Sequence, residues 1–253
     1  MSDHHFSTVN FHFTMDGDAS AHPELSVIIP FFNEAGNIAP LLGELRATAE
    51  SLAIPYEVLC IDDGSSDATH DELTEVAAHW HAVRVIRFAM NRGQAAALWH
   101  GFQIARGTRF AMLDGDGQNP PAELAHLWAV RESADLIAGA RRERQDSALR
   151  RTMSRVANAV RRAALRDSVS DTGCSLKVFR REVATSFLPI RTLYSFLPAF
   201  AVSAGFTVRE IPVAHRPRRA GASKYGFGAM AILPLLDLLA LCWILRRRLR
   251  LKA

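Results

Sequence analysis

Along the first 140 residues, short apolar runs alternate with segments of helical spacing. Leu25-Ser26-Val27-Ile28-Ile29-Pro30, Val58-Leu59-Cys60-Ile61, Val83 to Phe88, Phe110-Ala111-Met112-Leu113 and Leu136 to Gly139 are short and nearly continuous in apolar character. Strands buried on both faces read this way. Between them, Ile38 to Leu52, Asp67 to Trp80 and Gln94 to Ala105 have helical patterns, with Leu41, Leu42, Leu45 and Leu52 among the apolar positions of the first. Ser66 or Asp67 stands where the second would be capped. The alternation predicts an α/β domain whose mostly parallel sheet is covered on both faces. After Ala140 the pattern changes. Arg141 to Arg166 reads as basic and mostly helical, Val178-Phe179 and Phe206 to Val213 as strands, and 214–226, rich in Arg, Pro and Gly, as a loop.

Two acidic turns sit at predicted strand ends. Asp114-Gly115-Asp116 follows the Phe110 run and offers two hard anionic ligands one residue apart. Such oxygens suit Mg²⁺ or Mn²⁺, ions usually shared with phosphates. Asp62-Asp63-Gly64-Ser65-Ser66-Asp67 follows the run Glu57 to Ile61. At the carboxyl ends of parallel strands, the two turns point to a nucleotide-diphosphate site. The plainer alternative is ordinary Asp-Gly turn chemistry. A calcium-binding EF-hand loop is excluded, because its fifth position would be Gln118, its sixth Asn119 instead of Gly, and its twelfth Ala125 instead of Glu. Asn91-Arg92-Gly93-Gln94 lies between a strand and a helix; Gly93 allows close backbone approach, and N–H groups at a helix start favour an anion.

With 253 residues the chain can hold one large domain, or one domain and an appendage. Its net charge of +4 conceals an asymmetry: residues 1–140 carry 7 Lys+Arg against 19 Asp+Glu, and residues 141–253 carry 23 against 7. So basic a second half implies a polyanion or an anionic membrane surface as partner, or else a solvated basic face. The basic stretches lack interleaved aromatics, which argues against nucleic acid. Cys60, Cys174 and Cys242 are far apart and read as reduced and incidental. Residues 1–24 lack the apolar segment of a signal peptide and read as a flexible tail. Ala229 to Leu245 is apolar for 17 residues apart from Asp237, contains Pro234, and precedes the basic tail Arg246-Arg247-Arg248-Leu249-Arg250-Leu251-Lys252. A spanning helix needs about 20 apolar residues. The segment therefore predicts a helix lying in the interface, or a shallow re-entrant hairpin, at the cytoplasmic face. The competing reading is a buried C-terminal helix whose Asp237 finds a partner.

Seven motifs then stand in consistent order over roughly 25–228: Val27-Ile28-Ile29-Pro30-Phe31-Phe32-Asn33-Glu34, Asp62 to Asp67, Asp114-Gly115-Asp116-Gly117-Gln118-Asn119-Pro120-Pro121, Gly139-Ala140-Arg141, Arg150 with Ser154, Asp171-Thr172-Gly173-Cys174, and Arg218-Arg219-Ala220-Gly221-Ala222-Ser223-Lys224. In this order they resemble the family 2 glycosyltransferases of GT-A fold, a Rossmann-like α/β architecture. More narrowly they resemble the dolichol-phosphate mannosyltransferase group and its bacterial polyprenyl-phosphate relatives.

The resemblance implies a GT-A domain over 25–228, between a tail at 1–24 and a membrane-associated segment at 229–253. It implies metal-dependent, inverting transfer of a sugar from a nucleotide-sugar donor to a polyprenyl phosphate. Asp114 and Asp116 would hold the ion, with Gln118 adding a neutral oxygen. Either Asp62 or Asp63 would hold the nucleoside, with Pro30 and Glu34 lining the same pocket, although Asn33-Glu34 also reads as helix capping. Arg141, Arg150, Arg218 and Lys224, with the Ser154 hydroxyl, would bring donor diphosphate and acceptor phosphate together against their mutual repulsion. A phosphate monoester is ionised near neutral pH and needs no general base. Asp171 is then a site residue that orients an arginine. With a glycan hydroxyl as acceptor, the nearest rival, it would be the base. Asp-Gly-Asp replaces the commoner Asp-Ala-Asp, and one short apolar segment stands where many such enzymes carry two or more spans. A non-enzymatic module gripping membranes or polyanions is the rival from another class and predicts steep salt dependence with no product. A homo-oligomer stays open.

Overall fold

A computed structural model describes residues 22–142, 159, 161–165, 167, 169–217 and 229–247, with the side chains of 229–236 and 246 left aside. The strands are β1 (Leu25–Phe31), β2 (Tyr56–Asp62), β3 (Val83–Arg87), β4 (Arg109–Met112), β5 (Leu136–Arg141), β6 (Lys177–Arg180) and β7 (Val208–Val213). They form one sheet in the order β3-β2-β1-β4-β6-β5-β7. β1 pairs in parallel with β2 and β4, β2 with β3, and β5 with β7; β6 runs antiparallel between β4 and β5. Each apolar run read as a strand is one. The carboxyl ends of β1, β2, β4 and β5 consequently share one edge of the sheet.

The helices are α1 (Ile38–Ser51), α2 (Thr69–His79), α3 (Gln94–Ile104), α4 (Glu123–Ala129), α5 (Arg181–Ala184), α6 (Leu193–Ser203) and α7 (Ala229–Arg247). Alternation along the strands builds two cores. Val27, Ile29, Val58 and Cys60 face Leu41 and Leu45 of α1 and Leu127 of α4. Ile28, Leu59 and Ile61 face Leu98 and Phe102 of α3 and Phe196 and Phe200 of α6. Each fully buried Leu, Ile or Phe stabilises the fold by about 1.5–3 kcal/mol, so the sheet is anchored from both sides.

Three expectations need correction. Arg141 does not begin a helix. It ends β5, whose register with β7 runs on to Arg141 opposite Val213; among the described residues the predicted helix is seen at 159 and 161–165, and 143–158 lie outside them. Helix α2 starts at Thr69, and Asp67 caps it from outside by accepting the Thr69 N–H at 3.0 Å. Ser66 instead donates its N–H to the Asn33 side-chain oxygen at 2.9 Å. Helix α6 was not anticipated: it is apolar almost all round and holds Pro198, so no amphipathic stripe announces it.

Asp237 of α7 does find a partner: its Oδ2 accepts the Thr192 hydroxyl at 2.5 Å. Leu238 and Leu241 are buried in the second core, whereas Leu239 and Trp243 are 61 % and 62 % exposed, with the Arg247 guanidinium 4.8 Å above the Trp243 ring. Among the described residues no helix is long and apolar enough to cross a membrane.

Candidate active site

The turn after β4 carries Asp114 and Asp116. Gly115 between them presses on β1: a Cβ there would lie 2.5 Å from Phe31 Cδ1 and 2.9 Å from the Pro30 carbonyl oxygen. The two carboxylates are thus seated against the end of β1, with Pro30 beside the turn. Buried Asp116 accepts the Gln118 N–H on Oδ1 at 3.0 Å, which folds Gln118 back toward the pair. Half-buried Asp114 accepts from Gln94 Nε2 at 2.7 Å and from the Ser175 hydroxyl. Burial first, and then repulsion from Asp116, push the Asp114 carboxyl up to about 6, although Ser175, Lys177 and Arg141 oppose the shift. A cation would relieve that repulsion, so the donor set fits a hard divalent ion. Among the described residues no three His, Cys, Asp or Glu side chains gather as a ligand group. An ion here would take two carboxylates and fill its other positions with neutral oxygens, water or phosphate, the usual pattern for Mg²⁺.

Arg141, at the end of β5, forks onto Asp171. Its Nε and Nη2 donate to Oδ2 and Oδ1 at 2.7 and 2.8 Å, and its backbone N–H adds a third bond at 3.2 Å. Glu210 on β7 accepts the N–H groups of Ser170 and Asp171 and the Ser170 hydroxyl, which fixes the loop that carries the carboxylate. Of the two roles foreseen for Asp171, orienting an arginine is the one its geometry performs.

Sequence reasoning missed Lys177. It is 0 % exposed in β6, beside Met112 of β4, and its ammonium donates to the Cys174 carbonyl. Burial lowers its pKa, opposed by Cys174, Asp171 and Asp114. A lysine inside the run Leu176 to Phe179 was the available signal, but the strand was expected to start at Val178. Ser175 and Asn119 were missed as well; the Asn119 amide donates to the Ser175 hydroxyl at 2.7 Å, behind Asp114.

On the β2 side Asp62 and Asp63 are both buried. Asp62 accepts the Ser65 N–H at 2.9 Å and stands 3.4 Å from His70 Nδ1 and from Arg87 Nε. Asp63 accepts the N–H groups of Arg92 and Gly93 at 2.7 and 2.8 Å. Burial raises its pKa, and those two donors offset part of the shift. The anion held at the start of α3, where Gly93 has φ +92°, is therefore this carboxylate. Gln94, the next residue, reaches Asp114, so segment 92–94 bridges the two acidic turns. β1 separates them in the sheet, which sets them about 10 Å apart at the usual strand spacing. Glu34 is buried; its N–H donates to the Thr69 hydroxyl and its carboxylate accepts the Asn37 amide, both at 2.8 Å, a local role close to the capping reading.

The edge thus gathers Asp114, Asp116, Gln118, Arg141 and Asp171 with Lys177, next to a second group of Asp62, Asp63 and Gly93. Arg150, Ser154, Arg218 and Lys224 lie outside the described residues.

Residues 26–187 match the family profile described as Glycosyl transferase family 2. Among curated relatives, the undecaprenyl-phosphate 4-deoxy-4-formamido-L-arabinose transferase of Edwardsiella ictaluri is 38% identical over 80% of this chain and 63% of its own length. The Shewanella sediminis protein of the same name is 37% identical over 80% of this chain and 62% of its own. The chain therefore spans less than two thirds of the length of these relatives. Among solved structures, glucosyl-3-phosphoglycerate synthase from Mycobacterium tuberculosis, in complex with Mn²⁺, UDP and phosphoglyceric acid, aligns with a TM-score of 0.69 at 20% identity, over 87% of this chain and 78% of that one. The mannosyltransferase PcManGT from Pyrobaculum calidifontis, in complex with GDP-Man and Mn²⁺, aligns with a TM-score of 0.60 at 20% identity, over 87% and 64%. These likenesses bear on the fold, which is the expected GT-A architecture.

Proposed function

We propose that this chain, which belongs to glycosyl transferase family 2, moves a sugar from a nucleotide-sugar donor to a polyprenyl phosphate, with inversion, at the cytoplasmic face of a membrane. The observation that carries the reading is the Arg141–Asp171 fork, which presents a fixed guanidinium at the same sheet edge as the Asp114–Asp116 pair. The acceptor class follows that of the curated relatives, which are named as undecaprenyl-phosphate transferases.

Asp114, Asp116 and Gln118 would hold Mg²⁺ or Mn²⁺, which supplies charge neutralisation for the departing diphosphate. Asp62, Asp63, Pro30, Glu34 and Gly93 frame the nucleoside end, with Asp63 fixing the loop that delivers Gln94 to Asp114. Arg141, together with Arg150, Ser154, Arg218 and Lys224, binds the second anion; guanidinium forks suit phosphate, and Lys adds a movable charge. A phosphate oxygen of the acceptor forms the new bond to the anomeric carbon while the bond to the diphosphate oxygen breaks on the opposite face, which inverts the centre. The acceptor is already ionised, so no proton must be removed. The outward Leu239 and Trp243, next to the basic tail, meet the anionic membrane surface along which the isoprenoid lies. Residues 25–228 form the catalytic unit, 1–24 a tail and 229–253 the membrane-associated segment.

Asp171 separates this reading from one with a hydroxyl acceptor. With polyprenyl phosphate, Asp171→Asn is expected to lower turnover by no more than about tenfold, through looser placement of Arg141, and to leave the basic side of the pH–rate profile unchanged. A loss of about 10²–10⁴-fold, the scale of a missing general base, would favour the hydroxyl acceptor.

A further inference from the structure

Three residues beyond the end of β7, Arg216 takes hold of the Asp114–Gln118 turn from a distance of 99 residues in sequence. Its backbone N–H donates to the Gln118 carbonyl at 2.9 Å. Its Nε donates to the Gly117 carbonyl at 2.5 Å, and its Nη1 pairs with the Glu44 carboxylate of α1 at 2.9 Å. Nη2 is buried, has no hydrogen-bond partner among the described residues, and lies beside Gly117, where a Cβ would come within 3.7 Å of it. Gly117 has φ +71°, a left-handed conformation that glycine adopts without strain, and the carbonyl of this buried residue finds its partner in Arg216. A planar guanidinium can take a carbonyl and a carboxylate at once, in fixed directions. The link runs from the first core, through α1, to the two residues that follow Asp116.

We propose that Arg216 is a positioning residue for the divalent ion: through Gly117 and Gln118 it holds the turn in the conformation in which Asp116 and Gln118 can ligate together. This rests on the metal reading above. Arg216 contacts the turn's backbone and Glu44 and touches none of the carboxylates that would bind the ion, so its effect is geometric. Geometry and charge make opposite predictions. By Coulomb's law alone, removing a cation close to a dication site strengthens binding of the dication. Loss of a residue that orients ligands weakens it, commonly by 10–100-fold.

The test is a Mn²⁺ titration of the full chain at neutral pH, with free Mn²⁺ read by electron paramagnetic resonance, so that no turnover is required. Arg216→Ala and Arg216→Lys are both expected to weaken Mn²⁺ binding by about tenfold or more. Lysine keeps the charge but cannot span Gly117 and Glu44. Arg46→Ala, which removes an exposed α1 cation paired with Glu50, is expected to bind as wild type does. Should Arg216→Ala fail to fold by circular dichroism, the lysine variant decides. Unchanged or tighter binding in a folded Arg216 variant would overturn the inference and leave the metal site standing. A wild-type chain that takes up no Mn²⁺ would overturn the metal reading, and this inference with it.

Discussion

Asp116→Asn abolishes sugar transfer, lowering kcat/KM by about a thousandfold or more, and leaves the melting temperature within a few degrees of wild type. A thousandfold is about 4 kcal/mol of transition-state stabilisation, the scale on which a metal ion acts at a departing oxygen. Asparagine keeps an oxygen able to accept the Gln118 N–H, so the turn survives while the charge that would hold the ion is lost. The companion change moves stability the other way. Asp114 is pushed up to about 6 by burial and by Asp116, so in the metal-free protein its ionised form works against folding at neutral pH. Asp114→Asn removes that charge and retains an acceptor for Gln94 and Ser175, and is expected to raise the melting temperature while also abolishing transfer. Activity exchanged for stability in this way marks residues kept for chemistry. Near-normal turnover in Asp116→Asn, or a lower melting temperature in Asp114→Asn, contradicts the assignment.

Arg141→Ala is the second large effect, and it combines both kinds of loss. Asp171 is buried, and three of its hydrogen bonds come from Arg141, two of them from the guanidinium. Removing one partner of a buried ion pair typically costs about 3–5 kcal/mol. For a chain of this size that is a fall in melting temperature of roughly 10 °C. Transfer to a phosphate acceptor should fall below detection. Arg141→Lys separates the two losses: it restores a charge near Asp171 and part of the stability, but not the fork, so the KM for the phosphate acceptor should stay raised by at least about tenfold. If Arg141→Ala melts and turns over like wild type, the guanidinium has no part in the site.

The strands could be read from the chain because most of them, buried on both faces of the sheet, are short apolar runs bounded by turn residues. Asp114, Asp116 and Gln118 could be read for a related reason: their spacing is local, and the turn that holds them is local too. What escaped was brought in from afar. Lys177 and Ser175 come to Asp114 because antiparallel β6 inserts between β4 and β5, and no short-range pattern encodes that insertion; Asn119 lies in the local turn, but its Ser175 partner arrives the same way. Arg216 looked like one more cation in an Arg- and Pro-rich loop, since its partners lie on α1 and after β4. Gly93 was singled out for close backbone approach, yet a Cβ there would meet nothing within 4 Å; its φ of +92° is what calls for glycine, and the anion its N–H meets is the chain's own Asp63. Asp67 accepts the first N–H of α2 from two residues outside the helix, while the N-cap position itself falls to Ala68, which has no side-chain acceptor to announce it. Helix α6 hid behind Pro198 and an apolar surface with no polar face, where burial overrides propensity.

The most direct measurement is product formation. Purified full-length protein is incubated with Mn²⁺, a short-chain polyprenyl phosphate and a panel of nucleotide sugars, and the lipid fraction is analysed by mass spectrometry. The account predicts one new species, the polyprenyl phosphate plus a single glycosyl residue, that disappears when Mn²⁺ is chelated and when Asp116 is replaced by Asn. Sugar appearing on a glycan hydroxyl while the lipid phosphate stays unmodified would contradict it.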